Sequence, residues 1–385
     1  MADKKKLTKY NGSQKFSRVL IVIRWPVGGI RTFIKYFLRN FPEKNFRFTI
    51  VGIETEGMVA LTEDVGDIVD RWVLIPSDGK QVLNLMKKIR SLTKAGDIDL
   101  VHAQGFTAIA LCSFALLTSK IPLIGTIHDM IQFNQFDGWV GALRRLVIGF
   151  SLNRCAVVHC VSNDSKNNVF SFFPSLSSQS VVVPNGIRVE DFVDAKPINL
   201  REKLDLSESK ILLGFFGRFM APKGFKYLVQ AIEMLQHSGW LNRFHVVCFG
   251  SGAFIREERL AIDELGLSDC FSFLPFVSDV SSAMKACDLI VMPSIWETCP
   301  LQPMEALCAG VPFVGSNCLG LREVLDDTPA VLVEPGDAQS LVDGILKSVE
   351  IGKEPFEEFV PIAASRFDFR ERALEISKIY KRVLL

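Results

Sequence analysis

Short runs of consecutive apolar, mostly β-branched residues punctuate the chain at 19–23, 48–53, 100–103, 123–127, 157–160 and 181–183. None of them alternates inward and outward residues. A strand that is apolar at every position is covered on both faces, which is the property of parallel sheets flanked by helices. Between these runs the spacing of apolar residues predicts helices over 32–40, 81–93, 106–117 and 142–154. The alternation restarts in the second half. Strands are predicted at 211–216, 244–249, 289–292, 312–315 and 330–333, and helices at 226–236, 254–264, 303–309, 338–349 and 370–383. The fold class is therefore α/β: two Rossmann-like, doubly wound parallel-sheet domains, assigned to residues 1–190 and 191–385, with a polar connection around 188–200. Such sheets bind ligands at the carboxyl ends of their strands, so two of them facing each other predict a cleft lined by strand-end loops.

Composition narrows the class. With 385 residues, 48% hydrophobic and 23% charged, the chain has ample apolar surface for two cores, and disordered, collagenous and mini-protein classes are excluded. The 30 phenylalanines read as core. The net charge of +1 hides an asymmetry: residues 1–196 carry 25 Lys+Arg against 17 Asp+Glu, and residues 197–385 carry 19 against 26. The basic first half, with Arg144, Arg145 and Arg154 on a predicted helix, points to an anionic partner, whether a membrane surface, an acidic substrate or a nucleic acid. Basic residues interleaved with stacking aromatics are missing, so no nucleic-acid partner is expected. Nine cysteines without any C-x-x-C pair argue against a disulfide framework and against zinc or thioredoxin sites, and they fit a reducing, cytoplasmic setting. Residues 1–10 are lysine-rich with no apolar stretch behind them, unlike a signal peptide or anchor. The apolar stretch 106–117 falls short of the roughly 20 residues that span a bilayer and reads as a buried helix.

The candidate chemistry sits at predicted strand ends. Gly28 and Gly29 follow the first strand and open a helix, where bare backbone N–H groups can meet an anion, although the G-x-G-x-x-G fingerprint of a nicotinamide enzyme is missing. Gly250-Ser251-Gly252 makes a second glycine turn. Gly217-Arg218 lies just past a buried strand with Lys223-Gly224 close behind, placing two cations on one loop, as a diphosphate needs. The stretch 293–306 follows a strand and enters a helix with Pro303 near its start, so that Glu297 and Glu305 border one helix N-terminus. His128, at the end of the strand 123–127, should face the crevice. His159 and His245 lie inside apolar strand patterns and read as structural. Asp97 and Asp99 have metal-ligand spacing, but they sit at the entrance of a strand, the wrong end for a ligand, and read as a polar turn. Each motif also has an ordinary counterpart: a tight turn, a solvated cation pair, or a carboxylate complementing a helix dipole. No G-x-S-x-G elbow or H-E-x-x-H pair is present.

Taken in order, Gly28-Gly29, His128-Asp129, Val161-Ser162, the run from Val183 to Ile187, Gly217-Arg218 with Lys223-Gly224, Gly250-Ser251-Gly252, and Pro293-Ser294 leading to Glu297 and, after seven residues, Glu305 resemble the retaining glycosyltransferases of family four, of GT-B architecture. The resemblance spans most of the chain. It implies an acceptor-side first domain, a donor-side second domain, and a last helix that packs back on the first. It implies further that Arg218 and Lys223 grip the diphosphate of a UDP- or GDP-sugar, that Glu305 bonds the ribose, that Glu297 contacts the donor sugar with Gly28, Gly29, Gly217, Gly250, Gly252 and Leu301 around the donor, and that His128 lies near the anomeric centre. No metal is required in that scheme, and the acceptor is a glycan or lipid-linked glycan. The chain departs from the pattern after the first glutamate, where Thr298-Cys299-Pro300-Leu301 replaces a Gly-Phe-Gly type turn and Pro300 brings no N–H. Glu323 is given no catalytic role, while Asn185-Gly186 and Ser162-Asn163 read as a turn and a helix cap. Two other functions fit the same architecture: a catalytically silent nucleotide-sugar-binding or scaffolding protein, and a sugar-nucleotide epimerase.

Overall fold

The computed structural model describes residues 16–26, 28–240, 243–274 and 279–385. Seven strands, β1 (Ser17–Ile23), β2 (Phe46–Ile53), β3 (Arg71–Ile75), β4 (Leu100–Gln104), β5 (Leu123–Ile127), β6 (Val157–Cys160) and β7 (Ser180–Val182), form one sheet in the order β3-β2-β1-β4-β5-β6-β7. Six more, β8 (Ile211–Phe216), β9 (Phe244–Phe249), β10 (Phe271–Leu274), β11 (Leu289–Met292), β12 (Phe313–Ser316) and β13 (Val331–Val333), form a second in the order β10-β9-β8-β11-β12-β13. All neighbouring pairs run parallel. Strand order reverses between β1 and β4 and again between β8 and β11, and a crevice opens at such a reversal.

The two-domain α/β architecture expected from the apolar runs is present, with two additional strands. Both β3 and β10 are sheet edges. The β10 sequence FSFL is interrupted by Ser272, while β3 opens on an exposed Arg71 and carries only the four apolar residues Trp72 to Ile75. The helix Asn163–Phe172 escaped periodicity for a related reason: its first six residues, NDSKNN, are polar. Its start was legible, since Ser162 is its N-cap and forms a capping box with Ser165. At the entrance of β4, Asp97 and Asp99 are both taken up by Arg18, as a polar turn should be. All nine cysteines are buried and unpaired.

The chain passes between the domains twice. After β7 it crosses to the second sheet, and at the end of the helix Glu354–Phe367 it turns back through Asp368 into the C-terminal helix Phe369–Leu384. The two passages are stitched together: the Ile187 N–H donates to the Phe367 carbonyl at 2.8 Å and the Phe369 N–H to the Ile187 carbonyl at 3.0 Å. The returning helix packs on the first helix, Gly29–Asn40. One apolar core runs continuously from Phe33 and Phe37 through Phe369 and Tyr380 to Met304 and Phe313, so burial itself ties the domains together.

A buried polar chain anchors the returning helix. The Val183 carbonyl can only accept, so His159 donates to it from Nε2 at 2.9 Å and must accept at Nδ1 from the Thr126 hydroxyl, also at 2.9 Å. Thr126 Oγ1 then accepts from His102 Nε2 at 2.6 Å, and His102 Nδ1 accepts from the Tyr380 hydroxyl at 2.6 Å. Every proton in the row is thereby assigned, and both imidazoles are neutral. Burial pushes their pKa values down, that of His159 to about 4.

Candidate active site

A cavity of about 970 Å³ lies between the domains where the strand ends meet. Its first-domain wall begins at β1, after which Gly28 adopts φ 55°, a left-handed conformation, and caps the first helix. A Cβ placed on Gly28 would lie 4.0 Å from Arg218 Nη2, so the two glycine-containing turns of opposite domains face each other closely. The bare N-terminal turn of the helix is open to the cavity through Gly28, Gly29 and Ile30.

His128, just past β5, also lines the cavity. Its Nε2 lies 2.8 Å from Gln104 Oε1, an amide oxygen that can only accept, so the proton sits on Nε2 and Nδ1 keeps its lone pair. Burial, with His159 nearby, pushes its pKa down to about 3, and the ring is neutral at physiological pH. It is held edge-on by Phe33, with centroids 5.0 Å apart. Gln104, at the end of β4, has its Nε2 buried in the cavity wall without a partner among the described residues. Asp129 is pushed up by burial, with the Arg218 charge across the cleft opposing the rise.

The second-domain wall carries the charge. Gly217 and Arg218 follow β8, and Arg218 is exposed with no hydrogen bond or ion pair among the described residues. Five residues on, Lys223 ends a 3-10 turn terminated by Gly224 at φ 67°. A Cβ on Gly224 would fall 1.9 Å from the Pro293 carbonyl oxygen, so only glycine lets the lysine loop lie against the loop after β11. The two loops are laced by the Ile295 N–H donating to the Pro222 carbonyl at 2.8 Å. This brings Lys223 Nζ within 2.7 Å of Glu297 Oε1, which also accepts from the Ser294 hydroxyl at 2.7 Å. Oε2 of Glu297 has no protein partner among the described residues. The divergent stretch 298–301 is tied to the first domain through its carbonyls: Ser162 Oγ donates to Thr298 O at 2.6 Å and Asn185 Nδ2 to Cys299 O at 2.8 Å. The N–H groups of Thr298, Cys299 and Leu301 find no acceptor among the described residues, and all three residues line the cavity. Pro300 therefore costs the loop one donor and leaves three.

The structure thus brings Gly28, Gly29, His128, Gly217, Arg218, Lys223, Glu297 and Leu301 to one cavity. It does not place Gly250, Gly252 or Glu305 on that wall. Gly250 and Gly252 lie beneath the arginine loop: a Cβ on either would strike backbone, the Gly217 oxygen at 1.9 Å or the Phe219 oxygen at 2.4 Å. Their missing side chains make room for the loop that carries Arg218. Glu305 sits in the first turn of the helix Gln302–Cys308, whose leading residues Leu301 and Gln302 do line the cavity. It is partly exposed, its carboxylate has no hydrogen-bond partner among the described residues, and burial of the group pushes it up to about 7. The sequence reading missed Gln104 and, while quoting Ser294 in the motif that leads to Glu297, gave it no role, because an amide or hydroxyl acquires meaning only from what folding places beside it. It gave Asn185 only a turn, yet its Nδ2 reaches across to the second domain while its Oδ1 lacks a partner among the described residues. Glu323 works across the interface: its carboxylate accepts from the N–H groups of Asn163 and Asp164 at the start of the helix Asn163–Phe172, while Asp164 binds Arg322 and the Gly320 N–H. Among the described residues no group of three or more His, Cys, Asp or Glu is arranged to hold a metal ion.

The chain's two halves match two family models: residues 27–191 match Glycosyltransferase Family 4, and residues 198–359 match Glycosyl transferases group 1. It is 26% identical over 307 residues to the phosphatidyl-myo-inositol mannosyltransferase of Mycobacterium leprae (strain TN), covering 77% of this chain and 76% of the relative. It is 23% identical over 286 residues to the UDP-Gal:alpha-D-GlcNAc-diphosphoundecaprenol alpha-1,3-galactosyltransferase of Escherichia coli, covering 72% of each. Among solved structures, Anabaena Alr3699/HepE in complex with UDP and glucose superposes with a TM-score of 0.81 at 19% identity, covering 95% of this chain and all of that one. WaaG, a glycosyltransferase involved in lipopolysaccharide biosynthesis, superposes at 0.69 and 16% identity, over 94% of this chain and 99% of that one.

Proposed function

The chain belongs to the family 4, group 1 glycosyltransferases of GT-B fold, and from that membership we propose that it moves a hexosyl group from a UDP- or GDP-sugar to a glycan or lipid-linked glycan, retaining the anomeric configuration. The observation that carries this reading is the unpartnered Arg218 guanidinium facing the Lys223–Glu297 pair in one interdomain cavity. Breaking the bond between C1 and the β-phosphate oxygen leaves the electron pair, and so a developing negative charge, on the diphosphate. Cations already fixed in place stabilise that charge more in the transition state than in the bound substrate. Arg218 is free to meet the phosphates. Lys223, held by Glu297, is positioned beside it, and the open helix turn at Gly28–Ile30 supplies further N–H donors.

Glu297 uses one oxygen to hold Lys223 and has the other for a sugar hydroxyl. His128, neutral with its proton committed to Gln104, serves as an acceptor near the anomeric carbon and has no proton to give as an acid. In front-face displacement the acceptor oxygen bonds to C1 on the side the phosphate leaves. Its proton passes to the departing phosphate oxygen, so no enzymic nucleophile is needed. Glu305 bonds the ribose in this reading, and the first domain presents the acceptor. The lipid-linked substrates named for the two relatives support an acceptor of that kind and peripheral attachment to a membrane. Among the described residues no helix is long and apolar enough to cross one.

A panel of nucleotide sugars, read by release of the nucleoside diphosphate and by thermal stabilisation, tests the proposal. One donor should be hydrolysed slowly without acceptor. If no nucleoside diphosphate stabilises the protein and no donor is turned over, a silent scaffold is the better description.

A further inference from the structure

The helix Gly138–Asn153 has the sequence GWVGALRRLVIGFSLN and contains no acidic residue. Trp139, Leu143, Leu146 and Phe150 recur at intervals of four, three and four residues, which is a single stripe on a helix. A stripe of that kind normally turns inward. Here it faces out: Trp139 is 81% exposed, Leu146 71% and Leu143 55%. Phe133, in the 3-10 turn just before the helix, is 80% exposed, and Phe114 of the preceding helix stacks on Phe150 to extend the apolar surface. The flanking guanidinium groups are fixed in place, Arg144 on the Gln135 carbonyl, Arg145 on Phe172 and Arg154 on Leu116. A contiguous apolar surface bordered by arginines, on a helix that carries no carboxylate between its N-cap Asp137 and its end, is the composition of a helix that lies in the headgroup layer of an anionic bilayer. Pairing with a second copy is disfavoured, because a two-fold contact through this stripe would set arginines against arginines.

The same helix has another side. Arg144, Val147 and Ile148 line the interdomain cavity. We infer that the Trp139–Leu143–Leu146–Phe150 face, with Phe133, seats the enzyme in an anionic membrane surface, so that the cavity opens beside the bilayer and receives an acceptor whose lipid tail stays in it. This deepens the reading of a lipid-linked acceptor given above and rests on it.

The test uses the full chain and vesicles of phosphatidylglycerol with phosphatidylcholine, against phosphatidylcholine alone. At low salt the protein should sediment with the anionic vesicles and its tryptophan emission should shift to the blue, a shift that Trp139→Phe removes. The double variant Leu143→Glu/Leu146→Glu, altered only at exposed positions, should bind these vesicles at least roughly tenfold more weakly while its affinity for nucleoside diphosphate is unchanged. The inference is overturned if the wild-type chain stays in the supernatant, or if the double variant sediments as well as wild type. It is equally overturned if the substitutions turn a dimer into a monomer without touching vesicle binding. Nucleotide affinity and donor hydrolysis are measured on the same samples, so loss of the membrane inference alone is distinguishable from loss of the transferase reading.

Discussion

A carboxyl in the first turn of a helix ordinarily ionises readily, because the helix dipole favours negative charge there. Glu305 behaves in the opposite way, since burial outweighs the dipole and holds its pKa near 7. Ribose hydroxyls donating to the carboxylate would favour the ionised form, so nucleotide affinity should rise as pH increases through 7. Calorimetry with uridine diphosphate at pH 5.5 and 8 checks this. Glu305→Gln should remove that component of the pH dependence, and equal pH profiles for wild type and variant would remove Glu305 from the ribose site. Arg218→Ala should weaken diphosphate binding about tenfold or more, the scale of one charge-assisted hydrogen bond. It should leave thermal stability unchanged, because Arg218 holds nothing in the free protein. Gln104→Glu would place a carboxylate beside His128 and raise its pKa from about 3, so a new inflection from imidazolium should enter the pH–rate profile. Gln104→Leu should not produce one. These residues differ in how readable they are. Arg218, Lys223, Glu297 and His128 stand out because charged or titratable groups are costly at the end of a buried strand without a purpose. Gln104 does not stand out, since its role exists only through a ring 24 positions away in the chain.

Elements were legible where burial was complete. The central strands of both sheets announce themselves as apolar runs, as do the edge strands β7 and β13, whereas β10 is broken by Ser272 and the short run of β3 follows an exposed Arg71. The returning C-terminal helix was expected to pack on the first domain, and what fastens it could not be read from spacing, since Tyr380 and His102 are 278 residues apart. Tyr380→Phe leaves His102 Nδ1 buried without a donor. It should cost about 1–3 kcal/mol, read as a lower midpoint in urea, with the donor cavity unaltered. Glu323→Ala would remove the cap that the second domain places on the helix Asn163–Phe172, at a cost of about 1 kcal/mol. Part of that loss should reappear as weaker donor binding, because the same contact fixes how the two walls of the cavity face each other.

For the molecule as a whole, the neutral buried imidazoles set the acid limit. His102, His128 and His159 each have a folded pKa below the ordinary 6.5. The unfolded chain therefore binds more protons than the folded one below that pH, and stability falls with acidification by about 1.4 kcal/mol per pH unit for each ring. Glu305 opposes this. Its raised pKa makes the folded state the better proton binder between 4.5 and about 7, so it removes stability as pH rises through that window. The histidines outnumber it, and urea titrations at pH 5, 6 and 7.5 should show stability lowest at pH 5. A flat profile would mean that the three rings are not neutral and buried as described.

Nine buried native thiols, six of them with pKa values pushed up to about 12 and Cys299 alone of them at the cavity wall, leave the outer surface chemically silent toward maleimides at neutral pH. A cysteine engineered on the outer face of each domain would then be the only target for a dye. The separation of the two halves could be followed by energy transfer in single molecules, with and without donor, and no native cysteine would have to be removed first.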